Sequence, residues 1–323
     1  MLATTLGMAL IALTPGTALA KGTGYLFVSS ENDNAVTVLD GKTYAVVKTI
    51  PTGERPRDMK LSADGSQVYV IASKKHRLEV IDIARLAVTR TIPVGDDPEA
   101  FAFDKGGKHI YVTNEEDAQV SVVDFATGRT VAKIEVGEEP EGVMVSPDGS
   151  RAYITSEVAN MVHVIDTATN KILANVVVGN RPRRFAITPN GAEVWVTNEL
   201  GASITIIDGP SNKVKGSVAF EPKGFRRDDV TPVGIAMTRD GKTAYVTLGR
   251  ANHVAVVDVA TRAVKGYVLV GSRAWGVQLS RDEGLLYVVN GLSDDLSIVD
   301  TKSLKVLKSV PVGRVPYGVV ADD

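Results

Sequence analysis

The residues best suited to chemistry include one short acidic stretch. Positions 136–142 read VGEEPEG, which sets Glu138, Glu139 and Glu141 around Pro140. Such a stretch supplies oxygens for a hard cation, acceptors for basic groups, or simply a solvated turn. Further glutamates stand at Glu99, Glu115, Glu116 and Glu157, and arginines gather later at Arg181, Arg183, Arg184, Arg226, Arg227, Arg250 and Arg273. The acidic set, with Asn114 or Asn198, offers Glu115, Glu141 and Glu157 as ligands for an ion such as Ca²⁺, which takes about six to eight oxygens. The arginines, with Trp275 and Tyr317, offer a site for a planar polyanion by bidentate pairing and stacking.

Other chemistries have less to stand on. The histidines His76, His109, His163 and His253 share no repeat position and no helix face, so they do not make a zinc site. The chain has no cysteine, which excludes disulfides, thiolate metal sites and covalent c-type haem. It contains no nucleophile elbow, phosphate-binding loop or dinucleotide fingerprint. A formal net charge of -2 gives no global basic field for nucleic acid.

The elements that must position these groups follow from internal repetition. The pairs Phe27-Val28, Tyr69-Val70, Tyr111-Val112, Tyr153-Ile154, Trp195-Val196, Tyr245-Val246 and Tyr287-Val288 recur at a constant interval with one longer gap. The series Asp40, Asp82, Asp124, Asp166, Asp208, Asp258 and Asp300 keeps the same spacing, as do Pro56, Pro98, Pro140, Pro182, Pro232 and Pro316 with Ala274 in the remaining place. Within each unit apolar residues alternate with period two, and Ser-Pro-Asp-Gly turns separate the runs. Seven units of four short antiparallel strands predict an all-β, seven-bladed β-propeller. The last blade should combine three strands from residues 25–53 with one from 315–321, a 3+1 closure that leaves no open edge. The Asp series, present in every unit, is expected to cap turns.

In this frame the residue after each proline opens the innermost strand at the channel mouth. Those places hold Arg57, Glu99, Glu141, Arg183, Val233, Trp275 and Tyr317. With Arg273 they form the expected ligand site, apart from Val233. Of the opening stretch, Glu141 falls at the mouth, and Glu138 and Glu139 fall on the rim. The segment FEPKGFRRDDV, residues 220–230, holds an insertion on the same face, so Phe225, Arg226 and Arg227 are expected to form a partner-contact loop.

The first twenty residues are apolar and end in Ala18-Leu19-Ala20. They read as a signal peptide cleaved after Ala20, leaving residues 21–323 as one propeller with no membrane span in the mature chain, expected to be a periplasmic monomer.

At YVTNEED (111–117) and SPDGSRAYITS (146–156) the units resemble the YVTN family of β-propellers, and all seven repeats share the likeness. The stretches GERPRDMKLSADG, EEPEGVMVSPDG, NRPRRFAITPNGAEVWVTNELG and GSRAWGVQLS, with the extended fifth linker, are similar to propeller proteins associated with PQQ-dependent catabolism. That resemblance implies an exported accessory protein of a quinoprotein alcohol or aldehyde oxidation system. The implied partners are a periplasmic quinoprotein dehydrogenase or a cytochrome, and the implied ligands are PQQ and a Ca²⁺ or lanthanide ion. It carries over no catalytic residues, and the enzyme question leans towards no. The alternatives are a metal-dependent propeller enzyme of the lactonase or lyase kind and a purely structural or adhesion propeller.

Overall fold

The computed structural model describes residues 22–323, so the expected signal peptide lies outside the described residues. Seven four-stranded antiparallel sheets account for the fold. Blade 1 runs from Pro56 to Pro93, and blades 2, 3 and 4 begin at Pro98, Pro140 and Pro182. Blade 5 begins at Ile235 and blade 6 at Ala274. In blade 7 the strand Pro316–Asp322 pairs with Tyr25–Ser30, which continues into Ala35–Asp40 and Val46–Pro51. The predicted closure by both ends is therefore present. Thr23 strengthens it, donating its Oγ1 and backbone N–H to Asp322 Oδ2 at 2.6 and 2.8 Å.

The repeated aromatic–aliphatic pair encodes the joints between blades. Successive strand residues point to opposite faces, so each pair addresses two neighbours. Tyr111 packs with Val143 and Ile154 of blade 3, while Val112 packs with Tyr69 and Ile71 of blade 1. The same division holds for Tyr287 with blade 7 and Val288 with blade 5. The core is thus a ring of interblade layers with no common centre, and the axis is left to other side chains.

The Asp series caps turns as expected. Asp166 Oδ1 accepts from the Thr169 N–H and hydroxyl at 2.8 Å each, and Asp124 does the same for Thr127. Hydrogen bonding holds both carboxyls below their ordinary range, chiefly through Thr169 for Asp166 and Thr127 for Asp124.

Candidate functional site

Each linker delivers two mouth residues, and local chemistry fixes both. The residue before the proline, or before Ala274 in the sixth blade, adopts a left-handed backbone in six linkers: Arg55, Asp97, Glu139, Arg181, Arg273 and Val315 have φ between 36 and 59°. That conformation is unfavourable for residues with a Cβ. In four of the linkers a side-chain oxygen from the preceding blade accepts the exposed N–H. Asn34 serves Arg55 at 3.1 Å, Asn160 serves Arg181 at 2.8 Å, Asn252 serves Arg273 at 2.8 Å, and Asp294 serves Val315 at 2.8 Å. His76 Nδ1 plays the same part for Asp97 at 3.1 Å. The residue after the proline is held through its carbonyl. Ser29, Thr113, Thr155, Thr197 and Thr247 donate to the carbonyls of Arg57, Glu141, Arg183, Val233 and Trp275 in the following blade, at 2.7–3.0 Å. Close blade approach at this level also needs glycine: a Cβ on Gly142 would lie 2.0 Å from the Arg183 carbonyl oxygen.

Neither acceptor series is among the residues expected from the sequence. Both have signals there, since Asn34, His76, Asn160, Asn252 and Asp294 keep the repeat spacing and the threonine is the third letter of YVTN.

Ring geometry brings Arg57, Glu99, Glu141, Arg183, Trp275 and Tyr317 together at the axis, all at least nine-tenths buried. The sequence separates an acidic sector from a basic one, but the structure interleaves them. Arg57 Nε lies 2.6 Å from Glu99, and its Nη2 lies 3.6 Å from Glu141. From the other side Arg183 and Arg184 reach Glu141 at 3.2 and 2.9 Å. Arg183 also pairs with Glu157, and Arg181 pairs with Glu157 at 2.6 Å and Glu199 at 3.1 Å. Tyr317 closes the cluster, donating its hydroxyl to Glu141 at 3.0 Å and accepting from Arg57 at 3.0 Å and from Arg184.

The electrostatics follow from this order. Burial alone would raise the Glu141 carboxyl, but Arg183, Arg184 and Arg57 overcome it and hold Glu141 well below the usual range. Burial lifts Glu99 despite its contact with Arg57, and the Glu141 charge adds to the lift. Burial also pushes Glu157 up, to about 8, with Glu141 and Glu199 outweighing part of the help from Arg183 and Arg181.

Above this plug a cavity of about 240 Å³ opens to the loop face, lined by Arg55, Arg57, Arg181, Arg183, Arg273, Trp275 and Tyr317, with Glu31, Glu115, Glu141 and Glu199. Four of its five arginines have carboxylate partners; Arg273 has none among the described residues. Its guanidinium lies over Trp275, 4.5 Å from a ring centroid, and that of Arg183 lies at 5.1 Å. The Trp275 indole N–H is buried with no acceptor. A free cation therefore lies over the indole at the cavity.

A cation fits less well. The structure does not bring Glu115 together with Glu141 and Glu157; the close acidic trio is Asp97, Glu99 and Glu115, with oxygens within 4.8 Å of one another. Arg55, Lys74 and the Ser73 hydroxyl already bind Asp97, and Arg57 and Arg55 bind Glu99. A cation at Glu141 would meet Arg57, Arg183 and Arg184. Asn114 and Asn198 turn their amide N–H groups to the linker carbonyls of Val94 and Asp96 and to the hydroxyls of Ser203 and Thr205.

The inserted segment lies on the same face. Phe220 and Val230 anchor it in the interblade core, while Phe225, Arg226 and Arg227 are exposed. Phe225 packs edge-on against His253 at 5.4 Å, and Arg227 donates to the Gly201 carbonyl at 3.1 Å. Glu138 is exposed on the rim and Glu139 is half-buried.

Comparison with known proteins agrees with this architecture. Residues 17–106 match the family model of the YNCE-like beta-propeller. The chain is a β-propeller. Hydrazine synthase of Kuenenia stuttgartiensis superposes with a TM-score of 0.79 at 22% identity, covering 91% of this chain and 99% of that one. A functionally unknown protein from Desulfotomaculum acetoxidans DSM 771 gives 0.80 at 19%, covering 93% and 99%. The dihydro-heme d1 dehydrogenase NirN in complex with DHE gives 0.70 at 17%, covering 92% of this propeller and 75% of NirN. At these identities the likeness is one of fold. No curated protein sequence matches the chain.

Proposed function

We propose that this propeller is an exported binding protein that takes a small anionic ligand at the loop-face mouth of its channel. The observation that carries the reading is Arg273, a cation without a carboxylate partner among the described residues, lying over Trp275 at the cavity. A carboxylate accepts from the guanidinium, and the indole adds an aromatic surface for a planar ligand. The YVTN-type repeats and their likeness to propellers of PQQ-dependent catabolism set this in a periplasmic quinoprotein oxidation system. There PQQ, a planar tricarboxylate, has the right chemistry for Arg273, Trp275 and the arginines beside them. The role is accessory rather than enzymatic. The chain acts as a monomer that presents Phe225, Arg226 and Arg227 to a partner dehydrogenase or cytochrome.

The test is a fluorescence titration with PQQ and with benzene-1,3,5-tricarboxylate. Trp275 should respond and the response should vanish in Trp275→Phe, leaving that of buried Trp195. Absence of any response to either anion at tens of micromolar, or an equal response in Trp275→Phe, refutes the ligand reading. Intact mass of the exported chain tests the cleavage after Ala20, and capture from periplasmic extract with and without Phe225→Ala tests the partner loop.

A further inference from the structure

Two buried carboxyls stand behind the arginines of the mouth, outside the cavity lining itself. Glu157 is the clearer case. It is 3% exposed and sits at the start of the loop after Arg151–Ser156. Arg181 from the linker and Arg183 from the innermost strand of blade 4 face it, and both line the cavity. Two further carboxylates share those arginines. Glu141, from the innermost strand of blade 3, lies 3.2 Å from Arg183, and Glu199, from the loop after Glu193–Asn198, lies 3.1 Å from Arg181 and 3.6 Å from Arg183.

Glu141 also has Arg57 and Arg184, so Arg181 and Arg183 are left chiefly to Glu157 and Glu199 in a poorly hydrated place. When both of these carboxyls are ionised, the charge of Arg181 and Arg183 is balanced and an entering anion gains little from them. When Glu157 is neutral, Arg181 and Arg183 offer the cavity more of their charge. We infer that anion capture at the mouth is linked to a proton held by Glu157: the site binds with Glu157 neutral and releases its ligand when Glu157 ionises. This rests on the anion reading above. Glu157 acts through Arg181 and Arg183 and touches no ligand itself. Its carboxyl, pushed up to about 8 by burial and by Glu141 and Glu199, places the change in a measurable window.

The experiment is calorimetric titration of the folded chain with benzene-1,3,5-tricarboxylate and with PQQ from pH 6.5 to 9.5. The ligand carboxylates and the arginines do not titrate in that range. Affinity should be nearly constant below pH 7 and fall about tenfold between pH 7 and pH 9. In Glu157→Gln it should stay high and flat. Proton counting on the unaltered protein, with buffers of small and large ionisation enthalpy, should show about three-quarters of a proton taken up per anion at pH 8.5 and almost none at pH 6.5. That count holds even if Glu157→Gln folds poorly. A flat affinity profile with no proton uptake overturns the linkage and leaves the anion site standing. Uptake that persists in Glu157→Gln but disappears in Glu99→Gln moves the proton to the other carboxyl and overturns the assignment. No binding of either anion at pH 6.5 removes the anion reading and the linkage with it.

Discussion

Replacing Glu141 with glutamine keeps the shape of the side chain and removes its charge. Around it stand Arg184 at 2.9 Å, Arg183 at 3.2 Å, Arg57 at 3.6 Å and the Tyr317 hydroxyl at 3.0 Å. All of these groups but Arg184 are at least nine-tenths buried, and Arg184 is largely so. The amide oxygen can still accept one or two of these bonds, but three guanidiniums then face one another across a neutral group. Removing one partner from a buried ion cluster costs about 3–5 kcal/mol. Unfolding entropy is about 2.1 cal/mol/K per residue, so in a fold of roughly 300 residues each kcal/mol shifts Tm by about 1.6 °C. Glu141→Gln should therefore lower Tm by about 5–8 °C in a thermal melt followed by circular dichroism. Glu138→Gln, a rim charge on the same linker, should change it by less than about 1 °C. Adding Arg184→Met to Glu141→Gln should restore part of the loss, because it removes one stranded cation. The sign with pH is fixed as well. The Glu141 pKa is lower in the folded protein than in the unfolded chain, so its contribution is complete above the unfolded carboxyl value of about 4.3 and is lost as pH falls through the folded one. The part of the gap between the two proteins that belongs to Glu141 itself should narrow in acid. A Tm unchanged within about 1 °C at pH 7 would show that the cluster does not depend on this charge and would refute the account of the plug.

Three further outcomes test the scaffold around the mouth. Gly142→Ala puts a Cβ against the Arg183 carbonyl oxygen, so urea denaturation should show a loss of at least about 2 kcal/mol, with weakened anion binding as blade 4 shifts. Thr155→Val deprives the Gly142 N–H and the Arg183 carbonyl of a shared partner, at 2.7 and 3.0 Å; a loss of about 1–3 kcal/mol is expected by the same assay. His163 Nε2 accepts from the Gly137 N–H at 2.9 Å, and burial holds its pKa below 6.5, so its contribution is present above the unfolded value and declines as pH falls below it. The stability difference between the native chain and His163→Gln should accordingly shrink from pH 7.5 to pH 5.5, and a difference that grows in acid would show that the fold favours the charged ring and would refute the acceptor role of Nε2.

The propeller was legible in the sequence because its determinants are local and repeated. A strand pair with an aromatic beside a β-branched residue, an Asp two or three residues before a Thr or Ser, and a proline after the linker each act within one unit or across one joint. Seven copies in step specify seven blades. The same alignment of repeats picked out the mouth positions, and Arg57, Glu99, Glu141, Arg183, Trp275 and Tyr317 do meet at the axis. Glu138 and Glu139 of the opening stretch stay at the rim, and Glu141 alone of the three enters the cluster.

What the sequence could not supply was who pairs with whom. Glu141 meets Tyr317, 176 positions away, only because the ring closes, and Arg184 reaches Tyr317 from across the channel. An acidic run followed by a basic run along the chain reads as two sectors. Around a narrow axis in low dielectric, opposite charges instead interlock, since each unpaired one would carry a large desolvation penalty. That interlocking takes Glu141 and Glu157 away from a metal and leaves Arg273 free beside Trp275. Periodicity determined the ring; only its closure decided the charge of the site at its centre.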